Sequence, residues 1–134
     1  MTNVAMSRPL WLILLADAVA SGATAALLVA GAGLLERVLG LPVALMREAG
    51  LLLIPYVVLV VFVASRPSVA VAAVNAIITI NAVWTAASVL LLASGFVSPT
   101  VLGVAFVLAQ ALAVGAFAVI QYVCLRQAAR HAPA

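Results

Sequence analysis

Asp17 stands inside Trp11-Leu-Ile-Leu-Leu-Ala-Asp-Ala-Val-Ala-Ser-Gly22, a run with no other charge. A carboxylate at the centre of an apolar helix costs about 3 kcal/mol even on the gentlest insertion scale. Such a group is therefore turned inward, paired, or used to carry a proton, cation or ligand. Few other side chains in the apolar stretches could join it. They are Tyr56, Asn75, Asn81, Trp84, Gln110 and Gln121, with some hydroxyls. Amides and phenols donate to a carboxyl and to one another, so these seven residues are the candidate ligand- or proton-binding set.

Other chemistries lack the residues they need. The single histidine, His131, lies near the C-terminus, so no histidine pair is available to ligate haem inside an apolar segment. Cys, His and carboxylates show no metal-ligand spacing, and no serine has a basic partner for nucleophilic work. The expectation is a non-enzymatic protein without metal or cofactor. Cys124, the only cysteine, has no intramolecular disulfide partner and reads as a small packing residue.

The elements that must position these residues follow from composition. Of 134 residues, 69% are hydrophobic and 7% charged, where a soluble domain carries roughly a quarter charged. Four stretches near 10–35, 43–65, 68–95 and 100–126 reach the roughly 17 to 25 residues that a bilayer-spanning helix requires. Pro42, Pro67 and Pro99 precede the second, third and fourth, where a missing N–H is harmless. The connections after the second and third are too short for anything but antiparallel neighbours. The reading is a single all-α domain over 1–134, an integral membrane four-helix antiparallel bundle, with a brief interfacial turn in the 36–42 connection.

Arginine placement orients it. Arg8, Arg66, Arg126 and Arg130 fall on one side, Arg37 and Arg47 on the other, which puts both termini in the cytoplasm. In a bacterium that membrane is the inner one. The basic balance marks loops beside headgroups and no nucleic-acid groove. The partners expected are the lipid bilayer and either further copies of the chain or a membrane subunit. Arg47 and Glu48, with Glu36 and Arg37 across the loop, read as a surface charge cluster.

Depth and helical phase sort the polar groups. Counted from the expected segment ends, Asp17, Asn75 and Gln121 lie roughly 8 to 11 Å below the cytoplasmic boundary, with Tyr56 slightly deeper. Asn81 and Gln110 form a second level nearer the midplane. Asp17, Ser21, Thr24, Leu28 and Gly31 form one stripe on the first segment, and Gly103, Gln110, Phe117 and Gln121 form one on the fourth. The third segment is polar on two faces: Asn81, Thr85 and Ser88 on one, Asn75 and Thr79 roughly 120° away. Pro55 removes a backbone hydrogen bond and predicts a kink near Leu51, with Tyr56 or water supplying the lost donor.

Two resemblances follow from local patterns. Leu15-Ala-Asp-Ala-Val-Ala-Ser-Gly-Ala-Thr24, Leu53-Ile-Pro-Tyr56, Asn81-Ala-Val-Trp84 and Pro99-Thr-Val-Leu-Gly-Val-Ala-Phe-Val-Leu-Ala-Gln110 resemble a group of small bacterial four-helix membrane proteins with no assigned activity. Leu15-Ala16-Asp17 is similar to the membrane-embedded acid of small multidrug-resistance transporters. Here the acid is Asp where that family has Glu, and the rest of the family's pattern is missing.

The leading functional expectation is an intramembrane polar layer that binds a small ligand or partner, built on Asp17, Asn75, Tyr56 and Gln121. The alternatives are a proton-coupled transporter with Asp17 as carrier carboxyl, and an accessory subunit of a larger membrane complex. A dry, fully hydrogen-bonded Asp17 would argue against transport.

Overall fold

The computed structural model describes residues 2–131. A short strand β1 (Asn3–Ala5) leads into α1 (Arg8–Ala30), α2 (Ala32–Leu39) and α3 (Val43–Ala64). A second strand β2 (Ser68–Ala70) precedes α4 (Val71–Ser94), and α5 (Val101–Arg130) follows. Four of these helices, α1, α3, α4 and α5, are long and apolar enough to cross a membrane.

The helix starts are dictated locally. Ser7 accepts a hydrogen bond from the Leu10 N–H at 3.2 Å, and Pro9 sits where no intrahelical donor is needed. Thr100 caps α5 in the same way, through the Gly103 N–H at 3.1 Å. Before α3 the cap comes from a distance: Glu36 of α2 accepts the Val43 N–H at 3.1 Å. That carboxylate, expected in a surface charge cluster, thus satisfies an orphan donor beside the positive end of the helix dipole.

Three features depart from the sequence expectation. The first long segment breaks at Gly31, so residues 32–39 form a separate short helix, with Ala32 and Leu39 buried and Leu34, Glu36 and Arg37 exposed. Ser68–Ala70, expected as the start of the third segment, is instead a strand. It pairs antiparallel with β1, Val4 opposite Val69, and both valines are buried. Flanking bonds from Met6 N–H to Pro67 C=O and from Val71 N–H to Thr2 C=O, at 2.8 and 3.0 Å, extend this clasp. Finally, α5 runs to Arg130, four residues beyond the expected end. Pro55 lies within a helix that continues on either side of it.

The long helices associate as two pairs. α1 lies along α3, α4 lies along α5, and α1 also meets α5, whereas α3 and α4 barely touch. The α1–α3 approach depends on Gly50, where a Cβ would stand 2.8 Å from Val29 Cγ2 and 3.1 Å from the Ala25 carbonyl. The ends are fastened differently. At the β1–β2 end, the clasp joins the start of α1 to the start of α4. At the other end, the Thr100 N–H donates to the Leu39 carbonyl at 2.9 Å and its hydroxyl donates to the Val38 carbonyl at 2.8 Å, which docks α2 on α5. The exterior is apolar, with Leu52 66%, Leu112 76% and Val83 61% exposed. Water would penalise such a surface heavily, and hydrocarbon would not.

Candidate functional site: a buried carboxyl cluster beside a cleft

Each long helix contributes to one buried polar cluster. Asp17 and Gln121 are fully buried, and Asn81, Tyr56 and Ser21 are 3%, 8% and 8% exposed. Asp17 Oδ1 accepts from the Ser21 hydroxyl at 2.9 Å, one turn along α1. Asp17 Oδ2 accepts from the Tyr56 hydroxyl at 2.6 Å, Asn81 Nδ2 at 2.9 Å and Gln121 Nε2 at 2.7 Å. The partners also bind one another: Asn81 Nδ2 donates to Gln121 Oε1 at 3.0 Å, and the Tyr56 hydroxyl lies 2.8 Å from Asn81 Oδ1. Among the described residues, no buried side-chain nitrogen or oxygen is left without a partner.

A hydrogen count shows what this arrangement can hold. Tyr56 has one hydroxyl hydrogen but sits between two acceptors, Asp17 Oδ2 and Asn81 Oδ1. If it donates to Asp17, the contact with Asn81 is oxygen against oxygen with nothing between. The one hydrogen serves either acceptor, so the phenol is held between Asp17 and Asn81 as a shared donor.

Depth explains why these residues meet. Asp17, Tyr56, Asn81 and Gln121 each lie about ten residues from the helix end on the clasp side, or roughly 12–15 Å at about 1.5 Å per residue. Asp17, Tyr56 and Gln121 come together as the sequence suggested. Asn75 does not: it is exposed on α4, where its carbonyl accepts from Thr79 at 2.8 Å. Asn81, expected one level deeper, takes its place. The residues that α4 buries are Val74, Ile77 and Asn81, one stripe at steps of three and four, and Asn75 lies off it. That stripe was the available signal, hidden because apolar residues occur on every face of α4.

A second level lies between α4 and α5. Trp84 Nε1 donates to Gln110 Oε1 at 2.8 Å, and Gln110 Nε2 donates to the Ser88 hydroxyl at 2.9 Å. Thr85 returns its hydroxyl to the Asn81 carbonyl at 2.9 Å. The Tyr56 hydroxyl is committed to the cluster and does not serve the carbonyl freed by Pro55.

The separation of α3 from α4 leaves a cleft between them. Its deeper chamber, about 410 Å³, is walled by Leu52, Pro55, Leu59, Ile80 and Trp84, and reaches the edge of the cluster at Ser21, Tyr56 and Asn81. The outer chamber, about 340 Å³, runs along Leu45, Ala49 and Leu52 of α3 and Trp84, Ala87 and Leu91 of α4. Each volume falls in the range of small-ligand sites, roughly 300–1,000 Å³. Leu52 and Trp84 border both chambers. Glu48, which the sequence did not single out for this role, is the one ionic side chain among the described residues that line these walls.

The chain matches no family model, no curated protein and no solved structure. Its class rests on its own features: an all-helical protein with four long apolar helices, of a kind compatible with an integral membrane protein.

Removing only the phenolic oxygen tests the cluster gently. Tyr56→Phe is expected to lower stability in detergent by about 1 kcal/mol, the scale of an interhelical hydrogen bond in a membrane protein. Denaturant titration followed by circular dichroism checks it, and an unchanged midpoint would contradict the bonding described.

Proposed function

We propose that this chain is a non-enzymatic integral membrane protein, a four-span antiparallel bundle that binds a small apolar or amphiphilic ligand in the cleft between α3 and α4. The observation that carries this reading is the separation of α3 from α4 beside a fully bonded polar cluster. It leaves two chambers of about 410 and 340 Å³ that share Leu52 and Trp84. The cluster holds the helix pairs together, and the cleft supplies the binding space. Trp84, fixed by Gln110, forms the wall common to both chambers, and Tyr56 and Asn81 edge the deep end.

This placement revises the site expected from sequence. Asp17 and Gln121 act behind the wall as the framework, with Tyr56 and Asn81 as its ligand-facing edge. Asn75 has no part in it. A carboxyl with zero exposure and four internal donors suits a framework better than a carrier that must meet water on both sides. The proposed setting is a bacterial inner membrane with both termini cytoplasmic, in keeping with the arginine distribution and with the contact of α5 with β1 at the clasp end. Further copies of the chain would cover part of the apolar exterior.

The test uses the emission of Trp84 in a Trp11→Phe background. In detergent, 1-bromododecane is expected to quench Trp84 along a saturating curve. Ala87→Phe, a substitution at an exposed position on the cleft wall, is expected to abolish the saturating part while leaving the helical circular dichroism spectrum intact. Linear quenching identical in both proteins would refute a cleft site.

A further inference from the structure

The two ends of the cleft differ in chemistry, and the difference identifies a ligand class. The deep chamber ends on side chains whose hydrogen bonds are already made within the protein: Ser21 and Tyr56 to Asp17, and Asn81 to Asp17 and Gln121. It therefore offers an apolar trough with no free polar demand. The outer chamber ends near the start of α3, where the exposed Glu48 lies on the wall. From Leu45 to Leu59 the trough follows fourteen residues of α3, or about 21 Å at about 1.5 Å per residue. One leaflet of a bilayer's hydrocarbon core is about 15 Å deep. The trough is thus long enough to take one lipid chain across a leaflet, with a carboxylate, Glu48, on its wall toward the outer end.

We propose that the cleft seats one acyl chain of a phospholipid bearing a primary ammonium, drawn from the leaflet on the Arg47–Glu48 side. This deepens the reading of the cleft as a ligand site and rests on it. The Glu48 carboxylate accepts hydrogen bonds from the ammonium. The same carboxylate selects against other heads. A quaternary ammonium has no N–H to donate, and a purely anionic head places its charge against Glu48 without an ammonium to offset it. Entry is lateral, from lipid, because α3 and α4 barely touch along the cleft. The lipid is bound as it is, and no bond is made or broken.

The experiment uses the full chain with Trp11→Phe, reconstituted in vesicles of phosphatidylcholine. Chain-brominated phosphatidylethanolamine or chain-brominated phosphatidylcholine is titrated against Trp84 emission. The expected result is saturable quenching at about fivefold lower mole fraction for the ethanolamine lipid, the scale of one partly exposed charged contact. Glu48→Gln is expected to erase that preference, so that the ethanolamine lipid quenches no more strongly than the choline lipid. Equal potency of the two lipids in the unsubstituted cleft would overturn the headgroup assignment and leave the cleft reading standing. Absence of any saturable component with either lipid would overturn both. So would covalent dimer formation through Ala87→Cys, which would mark a second copy of the chain as the occupant.

Discussion

Asp17→Ala is expected to destabilise the bundle by about 3 kcal/mol, the largest loss from any single side chain in the cluster. Four donors lose their acceptor at once: Ser21, Tyr56, Asn81 and Gln121. Some of them find another. Tyr56 turns to Asn81 Oδ1 at 2.8 Å, and Asn81 keeps Gln121 Oε1 at 3.0 Å. Gln121 Nε2 is left facing a dry space, and leaving a buried donor unmatched costs about 1–3 kcal/mol by itself. Removing the carboxyl also opens a void at a fully buried position. Asp17→Asn is expected to be milder, about 1 kcal/mol, because its amide oxygen still accepts from Asn81 and Gln121 and its N–H can donate to the Ser21 oxygen. Unfolding in detergent with both variants checks the order. If Asp17→Ala were as stable as the parent chain, the cluster would not be what holds the helix pairs together. If Asp17→Asn folded and also kept its 1-bromododecane curve, the carboxyl would be framework and not a ligand contact.

Gly103→Ala is expected to cost about as much, roughly 3 kcal/mol, through backbone crowding. An added Cβ would overlap the Leu39 carbonyl oxygen and stand 2.8 Å from Pro99 Cβ, and neither is the end of a flexible side chain. α2 must lift off α5 to make room. In doing so it weakens the bonds from the Thr100 N–H and hydroxyl to Leu39 and Val38, at 2.9 and 2.8 Å. Gly33→Ala is the control. Nothing lies within 4 Å of a Cβ there, and alanine is the better helix former by about 1 kcal/mol, so stability is expected to hold or rise. Thermal unfolding of the two variants gives the comparison, with faster amide exchange at Thr100 expected only in Gly103→Ala. Equal midpoints would mean that α2 is not docked on α5.

The legible part of this chain was its inventory of segments and polar groups. The length and apolarity of the long segments marked four helices, and the three prolines before the later ones marked the connections. Charge in an apolar run singled out Asp17, and phase on the first segment correctly put Ser21 beside it. The clasp was illegible because each strand has three residues, too few for a two-residue alternation to stand out, and its halves lie more than sixty residues apart. The break at Gly31 was equally hidden, since residues 32–35 continue the apolar run. Depth counted from residue 68 puts Asn75 level with Asp17, whereas α4 begins at Val71 and Asn81 holds that level.

What the amino-acid order determined alone was the demand: a carboxyl that must find donors, amides and a phenol able to provide them, and helices that can tolerate hydrocarbon on their outer faces. Which donors answer, and what space remains beside them, only the tertiary structure decided. A helix that is apolar on every side has no hydrophobic face to fix its rotation. The rotation of α4 was instead decided by the few polar contacts that the packed helices allow. Turning Asn81 inward satisfies Asp17, Tyr56 and Gln121 together and carries Asn75 outward. The cleft is likewise a property of the pairing of α1 with α3 and α4 with α5. It arises where α3 and α4 separate, and no local run of residues encodes that separation.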